Sequence, residues 1–182
     1  METRIYLSNK IKKVYRGLDL KPLPEKAEMV SHINSWNAHY LTIENKKCWI
    51  MTHTKTRYTV VIPDVSAKKS NELRWWFMDQ IINQYLKDDR RINFAENVDP
   101  NQFNNFFGEF EFYPTNNDKS CIAYVNKRMA DLEWRKYQDG YDGISFYRFG
   151  ALINHIGTMK RNGKSQYIEP VSEMLQLIKA SA

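Results

Sequence analysis

The chain has 182 residues and a mass of 21.7 kDa. That length suits a single domain, 1–182, with a strand-rich first third and a helix-rich remainder. Hydrophobic residues make up 42%, charged residues 26% and aromatics 14%, which excludes disordered, collagen-like, coiled-coil and disulfide-scaffold proteins.

Arg4 to Leu7 is a short apolar strand. Lys10 to Arg16, with four basic residues, reads as a helix before the extended connector Leu20–Pro24, because each proline lacks an amide donor and turns its predecessor away from helix. Ala38–Ile43, Lys47–His53 and Arg57–Ile62 form an antiparallel meander, with turns at Glu44–Lys46 and Thr54–Thr56. On the middle strand Trp49, Met51 and His53 share one face, and Cys48, Ile50 and Thr52 the other. Both faces are largely apolar, so this strand should be covered on both sides.

Ser66 to Lys87 carries Leu73, Trp76, Phe77, Ile81 and Tyr85 at helical spacing. Asp99-Pro100 starts a short helix that Gly108 can stop, and Glu109–Tyr113 alternates as a half-wet strand. Lys119–Tyr137 is a helix with the stripe Ile122, Val125, Met129 and Leu132, and Asp139–Gly143 is a loop. Ile144–Ile156 is helical, with Phe149, Leu152, Ile153 and Ile156 inward. A basic segment follows with a turn at Asn162-Gly163, and Pro170 opens a last helix facing inward through Val171, Met174, Leu175 and Ile178. The pattern is α+β: a small antiparallel β-meander packed with several helices.

Lys and Arg number 27 against 21 Asp and Glu, a net +6 and a pI near 9.2. This balance favours polyanions: nucleic acid, nucleoprotein or an anionic membrane surface. The charge is segregated. Residues 1–62 carry +6, residues 63–118 carry −4 and residues 119–164 carry +5. If the two basic stretches meet in space, they form a surface that can track a phosphate backbone. The cations expected to touch a polyanion or partner are Lys127, Arg128 and Arg135 on one helix, with Lys160, Arg161 and Lys164 around the Asn162-Gly163 turn. Lys10, Lys12, Lys13 and Arg16 form the first group.

Walker, dinucleotide-binding, nucleophile-elbow and zincin motifs are absent, and no Cys-x-x-Cys supplies zinc ligands. Cys48 and Cys121, 73 positions apart, read as separate reduced core thiols. Cys48 and His53 fall on opposite faces of their strand, which disfavours a dyad. His39 could meet His53 across the sheet. Glu109 and Glu111 share a strand face and could do acid–base work, but the alternation with Phe110 and Phe112 explains them as its wet side. Trp75, at the margin of its helix, suits a protein-interface anchor. The start Met1–Ile5 has no signal-peptide core and no apolar run nears the ~20 residues of a membrane span, so a cytoplasmic protein is expected.

Around Ser35-Trp36-Asn37-Ala38-His39-Tyr40-Leu41 and Thr56-Arg57-Tyr58-Thr59-Val60-Val61 the chain resembles a bacterial domain family of unknown function. That family shows a Trp-x-Ala segment and an Arg-Tyr-x-Val-Val strand. The likeness covers roughly the first half, and members often carry His where this chain has Asn37. In size, start and basic character the whole protein also looks like a phage-type anti-CRISPR protein, an inhibitor of a type II RNA-guided nuclease. That resemblance implies a non-enzymatic inhibitor in a bacterial host cell, without cofactor or metal. It would bind a type II CRISPR nuclease–guide RNA complex and obstruct DNA engagement, with DNA or RNA as further contacts. The alternatives are an interaction module such as a toxin–antitoxin partner, or a small hydrolase or nuclease using Glu109, Glu111 or a histidine.

Overall fold

The computed structural model describes residues 1–66, 72–86, 98–161 and 164–181. The strands are β1 (Thr3–Leu7), β2 (Ser35–Ile43), β3 (Lys46–His53), β4 (Thr59–Ile62), β5 (Phe110–Pro114), β6 (Gly157–Arg161) and β7 (Lys164–Ile168). The helices are α1 (Asn9–Val14), α2 (Lys26–Ser31), α3 (Leu73–Leu86), α4 (Pro100–Phe106), α5 (Lys119–Gly143), α6 (Phe146–Ile153) and α7 (Pro170–Ala180). The expected α+β class holds, and the meander β2–β3–β4 is antiparallel as its alternation and turns require.

The sheet is larger than the meander. Its order is β4-β3-β2-β1-β5, and β1 runs parallel to both neighbours. Arg4 pairs with Ser35 on one side and Glu111 on the other. A parallel neighbour needs a crossover. The first runs through α1 and α2, and the second covers the stretch that holds α3 and α4. A separate hairpin, β6–β7, completes the strand set among the described residues.

Alternation along the strands makes two cores. On one face Ile5, Leu7, Trp36, Ala38, Trp49, Met51, Val60 and Ile62 pack with Ile11 and Tyr15 of α1, Phe77 and Ile81 of α3, Phe103 and Phe106 of α4, and Met174 and Ile178 of α7. On the other Leu41, Ile43, Cys48, Ile50 and Val61 pack with Val125 and Leu132 of α5 and Phe149 and Ile153 of α6. The middle strand is buried from Cys48 to His53, as its two apolar faces predict. Each such large side chain is worth roughly 1.5–3 kcal/mol of transfer free energy.

Two buried asparagines tie the layers together. Trp36 donates its indole N–H to Asn34 Oδ1 at 2.7 Å, and Asn34 donates to Thr3 Oγ1 and the Phe106 carbonyl. Asn154, just past α6, receives the Thr59 amide on its side-chain oxygen and donates back to the Thr59 carbonyl. This two-way bond ends α6 and fastens it to the edge strand β4.

Three expectations shift. The Asp139–Gly143 loop is helical apart from a kink at Gly140, whose φ of +66° suits glycine. Glu44 steadies the kink by accepting the Tyr141 amide. Of the four residues placed inward on α6, Phe149 and Ile153 are buried, but Leu152 is 51% and Ile156 64% exposed. The helix stops at Ile153, so Ile156 leaves the helical face that its spacing predicts. The helix expected over Ser66–Lys87 is described as Leu73–Leu86; Ser66 is not helical, and residues 67–71 and Lys87 lie outside the described set.

Candidate interaction surface

The predicted cations divide by burial. Lys127 is exposed on α5. Arg135 is partly exposed and pairs with Asp139 one turn on at 3.3 Å, a solvent-facing pair worth only about 0.3–0.5 kcal/mol. Arg128 is 6% exposed. Its guanidinium donates to Asp131 Oδ2 at 2.8 Å, the Tyr124 hydroxyl at 2.7 Å and the Ile156 carbonyl at 2.7 Å. It therefore ties the root of the β6–β7 hairpin to α5, and its charge is spent inside the chain. Lys164 is exposed on β7. The backbones of Lys160 and Arg161 lie in β6 opposite Ser165 and Lys164; their side chains, and the Asn162-Gly163 turn, lie outside the described residues.

These elements line a groove of about 480 Å³ between α5 and α6. Lys127, Ala130, Asp131, Trp134 and Arg135 form one wall; Phe149, Leu152, Ile153 and Ile156 form the other. The α5 residues recur at i, i+3, i+4, i+7 and i+8, which puts them on one side of the helix. Trp134 is 58% exposed there, beside the exposed Leu152 and Ile156. Exposed large apolar side chains gathered in one concave place mark an interaction surface more than scattered ones do. Sequence reading missed this gathering, because the inward assignment of Leu152 and Ile156 hid it.

The first basic group does not join this surface. Ile11 and Tyr15 root α1 in the core on the opposite face of the sheet from Val125 and Leu132 of α5. The α1 cations are thus parted from those of α5 by the sheet, while Lys46 over the Tyr141 ring and Arg57 bonded to Ser120 bring other cations of the first basic stretch against α5. Lys10 instead lies 4.9 Å from the centre of the Tyr40 ring. Trp75 is 60% exposed on α3, stacked edge-on against Trp76, which leaves it free as the sequence position implies.

Apart from Glu109, the candidate catalytic groups are buried or bonded within the chain. His53 is fully buried, with Nδ1 bonded to Thr56 Oγ1 and Nε2 to the Ile33 carbonyl; burial pushes its pKa down to about 3. It lies on the Trp36 face of the sheet, while His39 points to the other, so the two histidines do not meet. Glu111 accepts from Lys21 and from the Tyr113 hydroxyl at 2.6 Å, and the Lys21 bond holds its carboxyl below the usual range. Glu109 is exposed at the entry to β5. Cys48 and Cys121 are free, buried thiols; desolvation raises them to about 11 and about 12. Among the described residues no group of three His, Cys, Asp or Glu is placed to hold a metal, and no helix is long and apolar enough to cross a membrane.

A second hollow, of about 260 Å³, opens past the end of β1. Tyr6, Ser8, Asn9, Asn37, Ala38, His39, Thr115, Asn117, Ile122, Val125 and Asn126 line it, and among the described residues no Lys, Arg, Asp or Glu does.

No curated protein matches the chain in sequence. The resemblance noted around Trp36 and Arg57 holds at the level of a domain family without assigned function, and it extends well past the first half. The family model described as a domain of unknown function (DUF6933) matches residues 5–173, and the chain belongs to that family.

Proposed function

We propose that this protein works by binding. It docks the α5–α6 groove and the adjoining hairpin on an acidic face of a larger protein or nucleoprotein. The observation that carries this reading is the joint exposure of Trp134, Leu152 and Ile156 in a groove edged by Lys127 and Arg135. An aromatic anchor in an apolar hollow supplies affinity, and rim cations select an acidic partner and speed encounter. Residues 119–164 carry a net +5, which gives the charge complementarity its sign.

The partner we put to the test is a type II CRISPR nuclease–guide RNA complex. Its choice rests on the resemblance to anti-CRISPR proteins. Obstruction of DNA engagement would then be steric and stoichiometric, without turnover, and nucleic acid would be touched through Lys127, Arg135, Lys160, Arg161 and Lys164. A DNA-cleavage assay with the nuclease–guide complex preincubated with the purified protein tests this. The expected result is inhibition that saturates near equimolar protein, and none by Trp134→Ala combined with Leu152→Ser. Undiminished cleavage at about tenfold excess removes this partner, and multiple turnover of any substrate removes the non-enzymatic reading.

A further inference from the structure

The hollow past β1 has a different logic. β1 ends at Leu7, which pairs with Ala38 on one side and Pro114 on the other. β2 runs on to Ile43, whereas the chain after β5 turns away through Thr115–Asp118 into α5. A gap therefore opens at the carboxyl end of β1, between two strands that run parallel to it. The segments that follow parallel strands are where α/β sheets place their ligands.

Its lining is unusual for a chain in which charged residues make up 26%. Seven of the eleven residues are polar and uncharged or histidine: Ser8, Asn9, Asn37, His39, Thr115, Asn117 and Asn126. Asn37 is only 5% exposed. Its amide nitrogen donates to Thr54 Oγ1 at 3.1 Å, while its side-chain oxygen accepts no bond within the described chain. His39 Nδ1 is bonded to the Tyr40 carbonyl at 2.9 Å. Because a carbonyl can only accept, this nitrogen carries the proton and Nε2 remains a bare acceptor. Burial, with Lys10 nearby, lowers the imidazole pKa and keeps the ring neutral. Asn9 and Asn126, on two different helices, offer amides that make no hydrogen bond within the described chain. Ile122 adds apolar surface, beside the nearly buried Val125 and Tyr6, whose hydroxyl has no hydrogen-bond partner among the described residues.

We infer that this cleft binds an uncharged nucleoside, with the heteroatom edge of its base on the asparagines. Amides present a donor and an acceptor side by side, which is the pattern that base edges answer. Asn37 and His39 supply two fixed acceptors for exocyclic or ring N–H groups. The volume of about 260 Å³ matches a compact nucleoside and lies just below the usual range of ligand sites. Among the described residues no cation lines the cleft, and Lys10, the cation near His39, sits over the Tyr40 ring, so nucleotides are not favoured over nucleosides. A monosaccharide fits less well, since the site has no carboxylate to accept its paired hydroxyls. The inference stands apart from the groove reading, because the two sites share no lining residue.

The test is isothermal titration of the full-length protein with adenosine, guanosine, cytidine and uridine, with the matching monophosphates and glucose as comparisons. Saturable binding of at least one nucleoside is expected below about 1 mM. Its monophosphate should bind no more tightly. Asn126→Trp places a bulky side chain at an exposed position of α5 and should abolish the binding without loss of the folded state. Asn9→Ala, also at an exposed position, should weaken it about three- to tenfold. Three results would each overturn the proposal: no response to any of the four nucleosides at about 5 mM, glucose binding in their place, or nucleoside binding that survives Asn126→Trp.

Discussion

The two hollows sit on opposite flanks of one helix and differ in their chemistry. α5 roots itself through Cys121, Val125 and Leu132, and with 100° per residue its remaining positions fall to either side of that stripe. On one flank Ile122 and Asn126 face a neutral, amide-rich cleft. On the other Lys127, Trp134 and Arg135 face an apolar groove with a charged edge. A helix with one buried stripe thus separates a neutral, amide-rich cleft from a cation-edged apolar groove by a rotation of the side-chain positions. The lesson is that net charge alone locates neither: the basic total reports the groove flank and says nothing of the cleft.

The sharpest way to break this comparison is to disturb what both flanks stand on. His53 is fully buried and neutral, with its pKa pushed down to about 3 against an ordinary 6.5. The unfolded chain takes up that proton first as pH falls. Stability should therefore decline from about pH 6.5 towards pH 3, by on the order of 4 kcal/mol from this group. Urea unfolding across that range checks it; His53→Gln, destabilised overall, should show a flatter acid limb.

Arg128→Ala comes next. It leaves the Tyr124 hydroxyl, the Ile156 carbonyl and Asp131 without their donor and should cost about 3 kcal/mol. Lys127→Ala, its exposed neighbour, should change the unfolding free energy by less than about 0.5 kcal/mol. Equal effects would contradict the division of the predicted cations into one fastener and several contacts.

A smaller effect separates the rim charges. If the partner surface includes duplex DNA, removing Lys127 should reduce the log–log salt slope by about 0.9. Lys13→Ala, on the far side of the sheet, should leave the slope unchanged. A matching loss from Lys13 would restore a track running from α1 to α5, which the sheet's geometry denies.

Much of the fold was legible because it is local. The meander declared itself through alternation and turn residues, and α4 and α7 through Asp99-Pro100 and Pro170. The insertion of β1 between β2 and β5 was not, since a five-residue strand carries no mark of which distant strands it will join. The cleft depends on that insertion. Asn9, Asn37, Asn117 and Asn126 are scattered along the chain, and no spacing links them until two crossovers bring their segments together. The groove was half legible: Lys127 and Arg135 stood out as cations, but Leu152 and Ile156 looked like core. Their apolar character is the same in either setting: Ile156 is exposed because α6 ends at Ile153, and Leu152 because it lies on the groove side of the helix.

The central claim is that this molecule acts through the groove. The most direct measurement is its affinity for the nuclease–guide RNA complex before and after Trp134→Ala with Leu152→Ser, with urea unfolding run in parallel. The account predicts a loss of about 2 kcal/mol or more in binding, at an unfolding midpoint close to that of the unaltered protein. Tight binding that is indifferent to both substitutions would contradict it.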